Sequence, residues 1–267
     1  MTGARKHILI TNDDGIESDA LGPLADALVA VGDVDIIVPE RNWSGASHSI
    51  TLYRPLRVKA TQLRTGQPAH MSDGSPTDCV RLAVLGFLPH KPDLVVSGIN
   101  RGSNMGDDIT YSGTVAAAME GLLSNVPSIA ISIGAFGANI DFGPAASFAA
   151  LLAKNILARG FSSDALLNVN VPALPRERIT GVEVTRLGKR NYRDQLVERL
   201  DPYGEPYYWV GGPAVAGEAE PGTDVAAMRD GKISVTPIYL DLTNHELIHD
   251  LATWDWGWTA PVEVSAD

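Results

Sequence analysis

The residues best able to do chemistry lie in three polar, glycine-bearing stretches: Asn12-Asp13-Asp14-Gly15, Arg41 to His48, and Ser97 to Gly106. Adjacent carboxylates such as Asp13 and Asp14 repel each other unless a cation neutralises them, and oxygen donors favour a hard divalent ion such as Mg²⁺, Mn²⁺ or Ca²⁺. The hydroxyl of Ser44 and the amide of Asn100 have the donor chemistry to complete such a shell. Asp-Asp-Gly is also a common turn, in which one carboxylate caps the next helix. Both readings stand at this point. Ser112 or Thr114, ahead of the run Val115 to Ala118, marks a helix N-terminus. Free N–H groups and the positive dipole end make such a place receptive to phosphate, although a plain cap predicts the same residues. His48, in the polar loop, is a candidate proton donor or phosphate contact, as imidazoles commonly are.

A different chemistry is suggested by His245-Glu246-Leu247-Ile248-His249, which matches the zinc-peptidase pattern His-Glu-x-x-His. No histidine follows it, and the further ligand position of such enzymes is Asp255. Leu247, Leu251 and Trp254 form an apolar stripe there, which favours a C-terminal packing helix. Several absences discriminate further. The chain has no Gly-x-Gly-x-x-Gly and no Gly-x-x-x-x-Gly-Lys-Ser/Thr, so dinucleotide oxidoreductases and P-loop NTPases lose their usual phosphate cradle. Ser44-Gly45-Ala46-Ser47 is not a hydrolase nucleophile elbow.

These loops need a scaffold, and the flanking pattern supplies one. His7-Ile8-Leu9-Ile10-Thr11 reads as a buried strand, followed by a helix through Leu21, Leu24, Ala25 and Leu28 that ends near Gly32. Further strands are expected at Val34 to Val38, Asp93 to Val96, Ser128 to Ile133 and Ala165 to Val171. The intervening helices are Cys79 to Leu85, started by Pro76-Thr77-Asp78, then Ser112 to Leu123 and Ala145 to Ala158. Strands alternating with helices specify an α/β fold with a mostly parallel sheet and crossover connections. Ligands collect beyond the carboxyl ends of such strands, where the three polar loops begin. After Pro172 the rhythm changes. Tyr192, Tyr203, Tyr207, Tyr208 and Trp209 are interleaved with Gly and Pro over Asn191 to Gly222, which suggests an extended hairpin arm or a surface loop folded back. Exposed aromatics there would seek a second copy of the chain. A returning strand from Lys232 to Ile238 and a helix from Asn244 to Trp254 complete the chain. The expected organisation is a core over 1–189 and an extension of the same domain over 190–267.

Composition narrows the partners. The 267 residues carry 21 Lys and Arg against 32 Asp and Glu, a net charge of −11, which opposes coating of a nucleic-acid polymer. A hydrophobic share of 45% over this length supports a substantial core. The lone Cys79 forms no internal disulfide, and neither a signal segment nor a membrane span is found, so a cytoplasmic protein is expected.

The ordered motifs resemble the SurE family of metal-dependent 5′-nucleotidases. They include Asn12-Asp13-Asp14-Gly15, Ser44-Gly45-Ala46-Ser47, Pro76-Thr77-Asp78-Cys79-Val80, the stretch Pro92 to Gly102, Gly106-Asp107-Asp108, and Tyr111 to Gly121. Leu167 to Pro172, Thr185 to Gly188, Gly222-Thr223-Asp224 and Ser234 to Pro237 continue the series. The resemblance implies a Rossmann-like core, one divalent cation per subunit held by Asp13, Asp14, Ser44 and Asn100, and dimers or tetramers built through C-terminal elements. Mg²⁺ or Mn²⁺ is the expected ion, with Ca²⁺ as an alternative. The expected substrate is a nucleoside 5′-monophosphate, contacted by Asn12, Ser47, Asn104, Ser112, Gly113 and Thr114. Asp14 would also orient the attacking water, and His48 is the candidate acid. Broader nucleotidase or polyphosphatase activity, and a non-catalytic nucleotide-binding module, are the alternatives. Two departures stand out: Ile16 to Ala20 lacks the family's usual Pro-Gly pair, and Trp43 replaces a commonly polar residue, so that it either stacks on a base or packs.

Overall fold

The computed structural model describes residues 5–160, 166–189, 195–211 and 219–258. Residues Ala165, Asn191 and Tyr192 and the tail beyond Trp258, which figure in the expectations above, lie outside them. Among the described residues no helix is long and apolar enough to cross a membrane.

The first strand, β1 (His7–Thr11), leads to α1 (Leu21–Val29), β2 (Asp33–Pro39), β3 (Val58–Gln62), β4 (Pro68–Ser72), α2 (Pro76–Leu82) and β5 (Leu94–Arg101). Then come α3 (Gly113–Leu123), β6 (Ser128–Ile133), α4 (Gly143–Arg159), β7 (Leu166–Val171) and β8 (Val182–Val184). The C-terminal part holds β9 (Gln195–Leu200), β10 (Pro206–Gly211), α5 (Asp224–Arg229), β11 (Ile233–Ile238) and α6 (His245–Ala252).

Nine strands form one mixed sheet in the order β3-β4-β2-β1-β5-β6-β7-β11-β8, and β9 pairs with β10 as a separate hairpin. The centre, from β4 to β7, is parallel; β3 and β11 run antiparallel to the neighbours β4 and β7. The continuous apolar runs mark strands buried on both faces. Alternation along β1 then sorts the layers. Ile8 and Ile10 point into the core under α1 and α4, whereas Leu9 packs with Cys79, Val80 and Ala117 of α2 and α3. Helix α3 lies close to the sheet because its contact residues are small: a β-carbon on Gly121 would meet Ser128 Oγ at 2.2 Å. Helix α2 begins with a reciprocal cap, in which the Asp78 N–H donates to Ser75 Oγ and the Ser75 N–H donates to Asp78 Oδ2. It stops at Leu82, short of the expected Leu85, in a wider turn over Ala83–Phe87 where Gly86 adopts φ +106°.

Further elements depart from the sequence expectation. The β3–β4 pair occupies a stretch without an apolar run, because most of β3 is an exposed edge with no burial pattern to read. Short β8 is unpredicted for the same reason. Helix α6 exists, but among the described residues it is not covered: none of its residues is buried, and Leu247 stays 43% exposed. The His-Glu-x-x-His segment forms no site either. His245 Nε2 pairs with Asp241 Oδ2 at 2.6 Å, and among the described residues no three His, Cys, Asp or Glu side chains gather as metal ligands. The arm is a true hairpin whose described strands are exposed throughout.

Candidate active site

Strand β1 turns to β2 on one side and pairs with β5 on the other, so the crevice beyond β1 and β5 is the switch point where an open sheet binds ligands. The Asn12 to Gly15 loop sits there. Asn12 closes it on itself, its Oδ1 accepting from the Gly15 N–H at 3.2 Å and its Nδ2 donating to the Gly15 carbonyl at 3.0 Å. Gly15 adopts φ +86°, and a β-carbon there would fall 2.8 Å from the backbone carbon of Arg41. A second tie, from the Trp43 N–H to the Asp13 carbonyl at 2.7 Å, brings the Ser44 loop against the first.

Asp13 is 3% exposed and accepts a hydrogen bond from the Thr114 hydroxyl at 2.5 Å. Burial pushes its carboxyl above the ordinary range, against the pull of hydrogen bonds from Thr114. Asp14 is pushed up to about 6, by burial first and by the charge of Asp13 second, with Arg101 drawing it back. Its Oδ2 is buried and has no hydrogen-bond partner among the described residues, while Oδ1 takes a long contact of 3.4 Å from Asn42. Buried polar atoms are rarely left so. Two neighbouring acids and an orphaned carboxylate oxygen therefore fit a hard cation.

A cavity of about 290 Å³ opens over this floor, lined by Asp13, Ser44, Asn100, Asn104 and Ser112 together with Arg101 and Asp108. Three of the four expected cation ligands, Asp13, Ser44 and Asn100, thus line one cavity; Asp14, next to Asp13 in the chain, is not on its wall. Ser112 caps α3, accepting from the Val115 N–H at 3.1 Å, so the helix N-terminus faces the same space. Gly113 and Thr114 lie under Asp13 rather than on the cavity wall. Ser47 is a staple, its hydroxyl donating to the Thr110 carbonyl at 2.6 Å. His48 pairs with Glu120 at 3.1 Å and is absent from the wall. Trp43 is covered by the Arg41 guanidinium, 4.8 Å from the ring centroid, so the packing alternative applies to that face.

The wall is supported from far along the chain. The Asn104 carbonyl accepts from Asn168 Nδ2 and Asn170 Nδ2, each at 2.9 Å, and its amide donates to Ser132 Oγ. Asp224, fully buried at the start of α5, accepts from the Gly106 N–H at 2.8 Å and from the N–H groups of Gly188 and Val225. Thr223 caps that helix. Arg101, Phe136 and Asp224 were not singled out by the sequence reading as site residues. Arg101 follows Asn100 directly, a signal that was available; nothing local in Gly134 to Phe142 marks Phe136.

This geometry has known counterparts. The model of the family described as survival protein SurE matches residues 8–194. A 5′-nucleotidase SurE of Herpetosiphon aurantiacus is 50% identical over 251 residues, covering 94% of this chain and 98% of the relative. A 5′-nucleotidase SurE of Chloroflexus aggregans is 48% identical, covering 94% and 99%. The crystal structure of the Sure protein from Aquifex aeolicus superposes with a TM-score of 0.79 at 43% identity, covering 92% of this chain and 98% of that one. Sequence motifs, sheet order and the likeness to relatives over nearly their whole length agree: the chain belongs to the SurE family.

Proposed function

We infer that this chain is a 5′-nucleotidase that hydrolyses nucleoside 5′-monophosphates to nucleoside and phosphate, as the names of its near-half-identical relatives indicate. The observation that carries the chemistry is the orphaned Asp14 Oδ2 next to buried Asp13, which itself lines a cavity walled by hydroxyls, amides and the cap of a helix. Asp13, Asp14, Ser44 and Asn100 would hold one Mg²⁺ or Mn²⁺, an all-oxygen donor set suited to either ion. Bound there, the ion supplies positive charge to the phosphoryl group and makes water nucleophilic at neutral pH.

The chain's own residues do the rest. Ser112, at the positive end of α3, receives a phosphate oxygen, with Asn104 on the same wall and Gly113 and Thr114 supporting from behind Asp13. Asn12 and Ser47 act on the substrate through the loops they hold shut. Asp14 orients the attacking water, and rigid strand ends keep nucleophile and leaving oxygen in line. Glu120 fixes one imidazole nitrogen of His48, which leaves the other to protonate the departing ribose oxygen. The exposed hairpin and α6 are the surfaces we assign to a homodimer or homotetramer.

A phosphate-release screen over 5′- and 3′-monophosphates and short polyphosphate, with and without Mg²⁺, Mn²⁺ or EDTA, tests this reading. Release from 5′-monophosphates that needs the ion and is lost in Asp14→Asn supports it. Release that survives both EDTA and Asp14→Asn refutes it.

A further inference from the structure

Resting on the nucleotidase reading, we propose that Phe136 is the platform on which the substrate's base stacks, and that it sets a broad, purine-leaning preference. A phosphate seated against Ser112 and Asn104 leaves its nucleoside to run out along the cavity rim, where the aromatic side chains are Tyr111 and Phe136. Phe136 is 83% exposed. A lone exposed phenyl is ordinary on a protein surface, but this one is built into place.

Its ring lies on the backbone of Gly102, so closely that a β-carbon there would sit 2.3 Å from Cε1. The loop that carries it is tied at both ends. The Gly134 N–H donates to the Val171 carbonyl at 2.9 Å, and Arg101 Nη1 donates to the Gly137 carbonyl at 3.0 Å. Asp19 in turn holds Arg101 through Nη2 at 3.0 Å. Phe136 also walls a second hollow of about 370 Å³ beside Ala138, Asn139 and Leu174, which leaves space around the ring beyond the phosphate cavity. The phenyl group offers a π-face and no hydrogen-bond donor or acceptor. It therefore accepts any base, the larger purines most strongly, without reading their edges.

The test compares wild type, Phe136→Ala and Phe136→Trp on AMP, UMP and ribose 5-phosphate, with calorimetric AMP binding as a readout independent of turnover. For Phe136→Ala the ratio of kcat/KM for AMP to that for ribose 5-phosphate falls about tenfold, mostly through KM, the worth of one stacked base. The loss is smaller for UMP, AMP binding weakens to match, and Phe136→Trp restores both. A ratio and an AMP affinity within twofold of wild type in Phe136→Ala overturn the platform while leaving the nucleotidase reading intact. Wild type that binds AMP through Phe136 yet releases no phosphate from it overturns the nucleotidase reading and leaves the platform standing.

Discussion

Gly113 runs so close beneath Asp13 that a β-carbon added to the glycine would lie 2.8 Å from Asp13 Cβ and 3.1 Å from its Oδ2. No side chain fits there, and the start of α3 and the first acidic loop are seated by that contact. Gly113→Ala must therefore push Asp13 out of register with Ser44 and Asn100. Its expected cost is about 1–3 kcal/mol of stability from overpacking. Turnover falls about a hundredfold or more, because ligand placement is sensitive at the ångström scale. Thermal melts and steady-state kinetics on one preparation check both parts; a variant with unchanged turnover would show that Asp13 has slack.

The two acids also set a pH dependence. Asp14 has a folded-state pKa of about 6 against an ordinary 3.8, so between these values the folded chain binds more protons than the unfolded one. The contribution of Asp14 to metal-free stability is then highest below about pH 4, declines as pH rises toward about 6, and stays low above it. Burial of Asp13 acts in the same direction. Asp14→Asn removes this decline, so metal-free Asp14→Asn melts higher than metal-free wild type at pH 7 by an amount that shrinks toward pH 4. Added Mn²⁺ reverses the order at pH 7 by stabilising only the wild type. Melting curves in EDTA and in Mn²⁺ across that range decide it.

The elements legible from sequence were those whose burial is regular. Leu94 to Val96 and Ile129 to Ile131 are fully buried, and a strand buried on both faces leaves an apolar run that needs no tertiary knowledge. Strands β3 and β8 leave no such trace because edges tolerate polar residues. The same division applies to the site. Asp13 and Asp14 are conspicuous because paired carboxylates are costly, whereas Phe136 looks like any loop phenylalanine until Gly102 is found beneath it. The apolar stripe of α6 was visible in the sequence, but among the described residues nothing buries it.

Asp224 should behave as a positioning residue. It accepts three backbone N–H groups, those of Gly106, Gly188 and Val225. Asp224→Ala strands these donors and is expected to cost about 2–4 kcal/mol. Because Gly106 closes the loop that runs from Asn100, the variant also loses kcat/KM at temperatures where circular dichroism shows it folded. Asp224→Glu, which keeps the charge but shifts the oxygens, falls between. Full activity in folded Asp224→Ala would reduce the residue to a purely stabilising part.

The role of His48 is decided by the leaving group. If its imidazole protonates the departing ribose oxygen, His48→Gln lowers AMP turnover by about 10²-fold. Turnover of p-nitrophenyl phosphate, whose leaving group departs as an anion, is then nearly unaffected. Equal losses on both substrates would instead assign His48 and Glu120 to holding the Ser44 loop.

The tie between Asp224 and Gly106 spans 118 residues of chain. During translation the ribosome delivers both acids of the first loop long before the anchor of the phosphate wall. A nascent product thus carries the charges without the completed vessel until the segment that bears Asp224 has emerged and docked.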